Sequence, residues 1–141
     1  MAGKQYLNAF INNSATIRET VAADIENAAH KAVVYDGDGN LILPAADGDP
    51  AVGVILSDAA AFDNGASFIT AAGTEVDVLI CKIGLIEAGE AVRKGDFLTV
   101  NTKGQAKKAA AGNFILGTAM TEAAADGELV QIQITKSGYA D

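Results

Sequence analysis

The sequence is poor in the side chains that build covalent links, metal sites and membrane spans. Its 141 residues include one cysteine, one histidine and no tryptophan. One cysteine excludes a disulfide within the chain, and one histidine makes no zinc site without help from carboxylates. No apolar run approaches the roughly 20 residues that a membrane span needs, and the first residues lack the apolar stretch of a signal peptide. We expect a protein that is made in a cytoplasm and stays soluble.

Basic residues are outnumbered by acidic ones. Ten Lys and Arg residues stand against 18 Asp and Glu residues, so the formal net charge is -8 at pH 7. A field of this sign repels phosphate backbones. The charge balance therefore predicts that nucleic acid is not a partner.

Aromatic residues make up only 6% of a chain that is half apolar. Much of the apolar half is alanine, which buries little area, and burial stabilises by roughly 25 cal/mol per Å². We therefore expect part of the stability to come from association with other chains.

From residue 31 onward, short apolar runs are separated by Gly, Asp and Asn, a pattern typical of β-strands. Asp38-Gly39 separates two such runs and predicts a hairpin turn with positive φ at both residues. Lys103-Gly104 predicts a second hairpin in the same way. The predicted strands cover residues 31–36, 40–44, 51–57, 66–70, 74–83, 85–87, 96–100, 104–108, 113–121 and 128–135.

The first 29 residues have a less regular pattern. Residues 1–13 are predicted to form an extended arm, whose apolar side chains bind a partner surface or cover the protein's own core. A strand is expected near residues 15–22, followed by a short helical turn at 24–29 capped by Asp24. Residues 14–141 then form one β-rich domain. The arm residues predicted to contact a partner are Tyr6, Leu7, Phe10 and Ile11.

Segment 74–87 changes face part-way along. Val76 and Val78 alternate with charged residues, which predicts a strand with one solvated face. Further on the alternation slips, and Gly84 lies among the shifted apolar residues, so a bulge or bend is predicted there. Cys81 is interpreted as an inert thiol in a buried strand.

An internal repeat is visible in the spacing of the glycines. Each copy contains a hairpin, an alanine-rich loop, a strand carrying an apolar-Gly pair, a second alanine-rich stretch and a glycine before another strand. A lone hairpin cannot bury its apolar face, whereas two such units facing each other can. The sequence therefore predicts a mainly β fold, a compact β-barrel or sandwich (β-tulip-like) built from two similar hairpin units with at most short helical turns. The matched positions are Gly39 with Gly104, Gly53 with Gly117, and Gly65 with Gly127.

One loop partly matches a calcium-binding pattern. Asp36, Asp38 and Asn40 occupy the first three ligand positions and Asp47 occupies the last. Leu41 stands where that pattern needs glycine, and no helices flank the loop. Because Asp, Gly and Asn are also turn formers, we interpret the segment as a hairpin turn and predict no metal and no cofactor.

Catalytic groups are also isolated in the sequence. His30 and Cys81 have no partner nearby in the chain that would complete a nucleophile and base, so His30 is interpreted as a surface or interface residue. Paired carboxylates do acid–base chemistry only where a pocket shifts their pKa values, and we interpret both pairs as solvated loop charges. The pairs are Glu87 with Glu90 and Asp58 with Asp63. No catalytic residue is assigned, and the chain is predicted not to be an enzyme.

A series of short motifs between residues 15 and 135 resembles the capsid cement (decoration) proteins of tailed bacteriophages. The order of the motifs carries the resemblance, and the arm at 1–13 lies outside it. The motifs are Gly95-Asp96-Phe97-Leu98-Thr99, Lys103-Gly104-Gln105-Ala106, Gly117-Thr118-Ala119, Ala123-Ala124-Ala125 and Leu129-Val130-Gln131-Ile132, preceded by Asp36-Gly37-Asp38-Gly39-Asn40 and Val52-Gly53-Val54.

The resemblance implies a structural role on the outer surface of a phage capsid. Members of this family clamp neighbouring major capsid protein subunits, and related decoration proteins are often trimers, with dimers as the alternative. The expected partners are thus the major capsid protein and further copies of the chain. A small ligand- or glycan-binding module is the alternative function, although scarce aromatic residues argue against sugar stacking.

Overall fold

The structure is a computed structural model, which describes residues 13–57, 61–63 and 67–141. The four predicted contact residues of the arm, Tyr6, Leu7, Phe10 and Ile11, lie outside the described residues. The described part of the chain forms thirteen strands and no helix, which confirms the mainly β prediction. No helix long and apolar enough to cross a membrane occurs there.

The strands are short and follow one another at close intervals. In chain order they are β1 Thr16–Thr20, β2 Ile25–Glu26, β3 Ala32–Tyr35, β4 Leu41–Ile42, β5 Gly53–Ile55, β6 Ala61–Asp63, β7 Ser67–Thr70, β8 Glu75–Leu79, β9 Lys82–Glu87, β10 Phe97–Val100, β11 Ala106–Lys108, β12 Gly117–Ala119 and β13 Leu129–Ile134.

Two five-stranded antiparallel sheets repeat one topology. The first sheet has the order β1-β8-β5-β3-β4, and the second, read from its β9 edge, has the order β9-β13-β12-β10-β11. Each strand of the first sheet thus has one counterpart in the second, which confirms the predicted duplication. The third sheet, β2-β7-β6, is an elaboration of the first half, since the β6–β7 hairpin lies between β5 and β8 where the second half has only a short loop.

The glycine matches of the repeat are confirmed at two positions and corrected at the third. A Cβ atom on Gly53 would lie 2.1 Å from the Leu79 carbonyl oxygen, and one on Gly117 would lie 2.1 Å from the Gln133 carbonyl oxygen. Both sites therefore need glycine for close strand approach.

The third pair is Gly73 with Gly127, not Gly65 with Gly127. Both glycines have positive φ, and each donates its N–H to a residue directly after the first strand of its sheet: Gly73 to Val21 and Gly127 to Ala88, at 2.9 and 2.8 Å. Gly65 lies outside the described residues. The inserted hairpin displaces the true counterpart along the sequence, which is why spacing alone selected the wrong glycine.

The two predicted hairpin turns have the same hydrogen bonds. Asp36 Oδ1 accepts from the N–H groups of Asp38 and Asn40 at 2.8 and 2.9 Å. Asn101 Oδ1 accepts from those of Lys103 and Gln105, both at 2.9 Å.

The predicted backbone of both turns was wrong in the same respect, because Lys103, like Asp38, does not have positive φ. Gly39 has φ 81°, but Asp38 is not among the residues with positive φ. Gly39 N–H bonds to the Asp36 carbonyl, and Asp36 N–H bonds to the Asn40 carbonyl. This is a three-residue loop closed by one left-handed glycine rather than a two-residue turn.

The two five-stranded sheets are stacked, with the inner face of the second sheet packed against the outer face of the first. The inner face of the first sheet forms its own cluster, with members such as Val33, Ile55, Val76 and Val78. The inner face of the second sheet, with Ile86, Leu98, Val130 and Ile132, forms a cluster that also includes Ala32, Val54 and Leu79 from the outer face of the first sheet. The main core therefore lies between the sheets.

The chain crosses from the first sheet to the second at Ile80 and Cys81. Strand β8 ends at Leu79, Lys82 has φ 68°, and β9 then pairs with β13. The predicted bend exists, but at this corner rather than at Gly84. Cys81 is a partly exposed corner residue and does not lie in a buried strand. Gly84 instead makes room for Leu79, because a Cβ there would lie 2.2 Å from Leu79 Cδ2.

The predicted helical turn at 24–29 is replaced by strand β2, which pairs with β7. Asp24 caps no helix. Its carboxylate accepts from the Ala72 N–H at 2.8 Å, so its bond joins two segments distant in the sequence. Propensity favoured the local turn, and pairing with the inserted hairpin overrode it.

Candidate functional site

A polar network joins the two halves. Gln105, which is 7% exposed, donates through Nε2 to Glu87 at 2.7 Å and to Asp126 at 2.8 Å. Its Oε1 accepts from Asn101 Nδ2, and Lys31 of the first half pairs with the same Glu87 oxygen. Glu87 is therefore a half-buried strand residue with two partners, and its interpretation as a solvated loop charge was wrong.

The outer face of the second sheet carries no formal charge over β12, β13 and the adjoining parts of β9 and β10, apart from Glu87, which lies opposite Leu129 at the end of β9 and is paired with Lys31. Ile83 pairs with Gln133, Gln133 with Thr118, and Thr118 with Phe97, which makes one row across the sheet. Ile83 and Phe97 are 52% and 57% exposed. We call this surface the neutral face, and its residues are Ile83, Leu85, Phe97, Thr118, Leu129, Gln131 and Gln133.

The same row in the first half is covered. Thr16 pairs with Leu79, Leu79 with Val54, and Val54 with Ala32, in the register that the second sheet repeats. Leu79, Val54 and Ala32 are at most 8% exposed because the second sheet packs on them. Equivalent rows of the duplicated framework are thus buried by packing in the first half and exposed in the second.

The rest of the first sheet's outer face is charged. Arg18 Nε lies 2.9 Å from a Glu75 oxygen, and Arg18 Nη1 lies 3.4 Å from an Asp77 oxygen. The counterparts of these three residues in the second sheet are Leu85, Leu129 and Gln131. Exposed ion pairs suit a solvated surface, so of these two described outer faces that of the second sheet is better suited to contact with a partner.

The loop that resembles a calcium site is built as a turn. The Asp36 carboxylate is bonded to backbone N–H groups of its own loop, and the Asp47 carboxylate pairs with Lys107 Nζ at 3.1 Å. Among the described residues, no group of three or more His, Cys, Asp or Glu side chains is arranged to hold a metal ion.

His30 and Cys81 both lie at bends in the backbone. His30 has φ 68° and donates its N–H to the Ile55 carbonyl at 2.7 Å. Cys81 lies near Lys136, whose pKa is lowered by burial while the cysteine acts in the opposite direction. The backbone hydrogen bond and positive φ of His30 therefore indicate a structural role in its turn.

An open groove of about 790 Å³ follows the charged end of the second half. Its lining is Ala91, Val92, Arg93, Asp96, Lys108, Glu122, Ala123, Ala124 and Glu128. None of these lining side chains is aromatic, so the groove offers no platform on which a sugar ring stacks.

Comparison with known families agrees with this geometry. The family model described as structural cement protein (E217 gp24/Pam3 gp6) matches residues 3–135. The chain belongs to this phage structural cement protein family. Membership makes it a structural protein of the phage virion, and a structural family implies a non-enzymatic role. The match begins at residue 3, so the family includes most of the arm, which the sequence interpretation had left outside the resemblance.

A solved structure shares the fold. The crystal structure of head fiber gp8.5 N base in bacteriophage phi29 matches with a TM-score of 0.63, at 22% sequence identity, over 89% of this chain and 98% of that chain. At this identity the similarity concerns the fold alone. No curated protein matches the chain.

The neutral face was not predicted from the sequence. Its signal is the alternation of Leu129, Gln131 and Gln133 with buried residues in β13, and of Ile83 and Leu85 with Gly84 and Ile86 in β9. Alternation identified the strands, but it did not distinguish a face that meets the other half from a face that meets solvent.

Proposed function

We propose that this protein binds the outer surface of a phage head and clamps neighbouring major capsid protein subunits. The observation that supports this most directly is the match to a structural cement family along residues 3–135. A clamp needs a rigid body that keeps its shape under load, and the stacked sheets, joined by the Lys31–Glu87–Gln105 network, supply one.

The N-terminal arm, residues 1–13, supplies the grip on the shell. Tyr6, Leu7, Phe10 and Ile11 are large apolar residues in a sequence with few aromatics, and burying such side chains against a partner is strongly favourable. The loops at the edges of the β-domain, residues 14–141, add weaker contacts. Symmetry multiplies these contacts over the shell, so modest individual affinities suffice.

The proposal includes self-association of the protein on the shell. The resemblance to decoration proteins favours a trimer, with a dimer as the alternative. The acidic exterior, with a net charge of -8, would keep decorated particles apart.

The test uses heads that lack this protein. Purified heads are incubated with the full chain, with a chain lacking residues 1–13, and with a chain in which the four arm residues are alanine, and bound protein is measured after sedimentation. We expect both variants to occupy the shell less at low concentration, while circular dichroism shows that the domain stays folded. Full occupancy by the truncated chain at low concentration would contradict the role of the arm.

Electron microscopy of the same particles tests the location. Regularly placed knobs on the outside of the head, present with the full chain and absent without it, are the expected result. Density confined to the inside of the shell, or no ordered density, would overturn the proposal.

A further inference from the structure

We infer that the neutral face is the contact surface for a second copy of this chain, in a twofold-symmetric pair that forms without the capsid. Ile83, Leu85, Phe97 and Leu129 are between 38% and 57% exposed on the same side of one sheet. Single apolar residues on a surface are ordinary, but a contiguous exposed group on one face of a sheet indicates a partner.

The duplicated half shows that this register supports packing. The row Thr16, Leu79, Val54, Ala32 occupies the positions equivalent to Ile83, Gln133, Thr118, Phe97, and it packs against another β-layer within the chain. The corresponding row of the second sheet has larger apolar residues at both ends and no layer on it among the described residues. A further layer would complete the stack.

Charge favours a copy of the same chain as the occupant. Two molecules with a net charge of -8 repel each other, so contact between them is favoured where neither presents unpaired carboxylates. The seven residues of the neutral face carry none, and Glu87, which lies beside them opposite Leu129, is already paired with Lys31, so contact there buries no unpaired charge. The equivalent face of the first sheet, with Glu75 and Asp77 against a single Arg18, is unsuited to such a contact.

The polar groups of the neutral face are complementary to themselves. Gln131, Gln133 and Thr118 each carry a hydrogen-bond donor and an acceptor. In a twofold interface the same surface of each copy faces the other. An amide can hydrogen-bond to another amide, whereas two ionised carboxylates cannot bond to each other. The neutral face can therefore bind the neutral face of another copy, without a different complementary surface.

A twofold pair is also the arrangement that the rest of the chain permits. Repeating the internal stacking would require the partner to offer an open inner face. The inner face of the first sheet is closed, because Val33, Ile55 and Val78 are 0% exposed. The neutral faces of two copies therefore meet each other rather than adding layers head to tail, which makes the alternative dimer the expected assembly.

Sedimentation velocity of the full chain tests the inference, with a matched pair of variants. Leu85→Asp places a charge in the neutral face, and Leu56→Asp places the same charge on an equally exposed leucine of the first half, since these side chains are 38% and 39% exposed. We expect the wild type and Leu56→Asp to form dimers at a concentration of about 100 µM or below. The dissociation constant of the Leu85→Asp dimer should be at least about tenfold higher.

Phe97→Asp provides a second variant at the far end of the row, and urea unfolding at a monomeric concentration verifies that each variant is folded. A wild-type monomer at every concentration, a trimer, or a Leu85→Asp dimer as tight as the Leu56→Asp control would overturn the inference. Because the pair is measured without capsids, these outcomes are separate from failure of the arm to bind heads.

Discussion

His30 and Gly95 occupy the same turn in the two halves of the molecule. His30 donates its N–H to the Ile55 carbonyl at 2.7 Å, and Gly95 donates to the Ala119 carbonyl at 2.8 Å. Their φ angles are 68° and 93°. The duplicated framework thus places a left-handed residue before β3 in the first half and before the equivalent β10 in the second, and only the second half has glycine there.

This equivalence predicts how substitutions at His30 behave. Left-handed backbone costs a non-glycine residue about 1–2 kcal/mol, and glycine avoids this but loses about 0.5–1 kcal/mol through its freer unfolded chain. We expect His30→Gly to change the free energy of unfolding by less than about 1 kcal/mol, and His30→Val to lower it by about 1–3 kcal/mol because a β-branched residue is strained there. Urea denaturation measures both, and equal stability of the two variants would contradict the prediction.

Close strand approach at Gly53 and Gly117 predicts large losses on adding a methyl group. An alanine Cβ at either position would lie 2.1 Å from a carbonyl oxygen of the neighbouring strand, so the backbone must move. We expect Gly53→Ala and Gly117→Ala each to lower the free energy of unfolding by about 2–3 kcal/mol.

Gly37→Ala is the matched control for the two glycine variants, because nothing lies within 4 Å of a Cβ there. It is expected to be neutral or to stabilise by up to about 1 kcal/mol through the unfolded state. A loss at Gly37 as large as that at Gly53 would show that the steric explanation is wrong.

The Tyr35 hydroxyl is expected to lose its proton at a higher pH than an ordinary tyrosine. Burial, then the negative charge of Glu19 and a hydrogen bond from the Tyr35 hydroxyl to Glu19, raises the pKa of Tyr35 above its ordinary value of 10.0. Since the folded state holds this proton more tightly than the unfolded state, the contribution of Tyr35 to stability is complete below pH 10 and is lost as the pH rises through the folded-state pKa.

Phenolate absorbance in the near ultraviolet checks this pKa. Glu19→Gln should lower the pKa of Tyr35 without returning it to the ordinary value, because burial is the largest cause. Tyr35→Phe identifies the titration step by removing it. An unchanged late step in Glu19→Gln would rule out the electrostatic contribution of the carboxylate.

The network at Gln105 is expected to be cooperative. Gln105→Met removes the donor shared by Glu87 and Asp126, and we expect it to lower the free energy of unfolding by about 1–3 kcal/mol. Lys31→Met removes the cation on the same Glu87 oxygen. A double-mutant cycle in urea should give a coupling of at least about 0.5 kcal/mol, whereas simple additivity would mean that the two contacts are independent.

The hairpins and the repeat could be predicted because their signals are local. Asp36 and Asn101 each bond to backbone groups two and four residues ahead, so a few neighbouring residues contain the whole turn. Gly39 and Gly104 close those turns with positive φ. Such features depend little on what packs around them.

Apart from the φ angles predicted for Asp38 and Lys103, the errors involve residues whose surroundings come from distant parts of the chain. Cys81 looks like part of a buried strand, yet it lies at the corner where the chain changes sheets. Asp24 bonds to Ala72, and Glu87 pairs with Lys31 and Gln105. Periodicity reports which side chains alternate, but it contains no information about which distant segment comes alongside.

The sequence by itself determined the β-strands, the two turns and the duplication, because backbone geometry and side-chain alternation act over a few residues. Only the tertiary structure decided which outer face is buried and which is exposed. Leu79 is buried and its counterpart Gln133 is exposed, although both occupy the same position of the same framework. The physical reason is the stacking order: the second sheet covers the first, and within the described chain no further sheet covers the second.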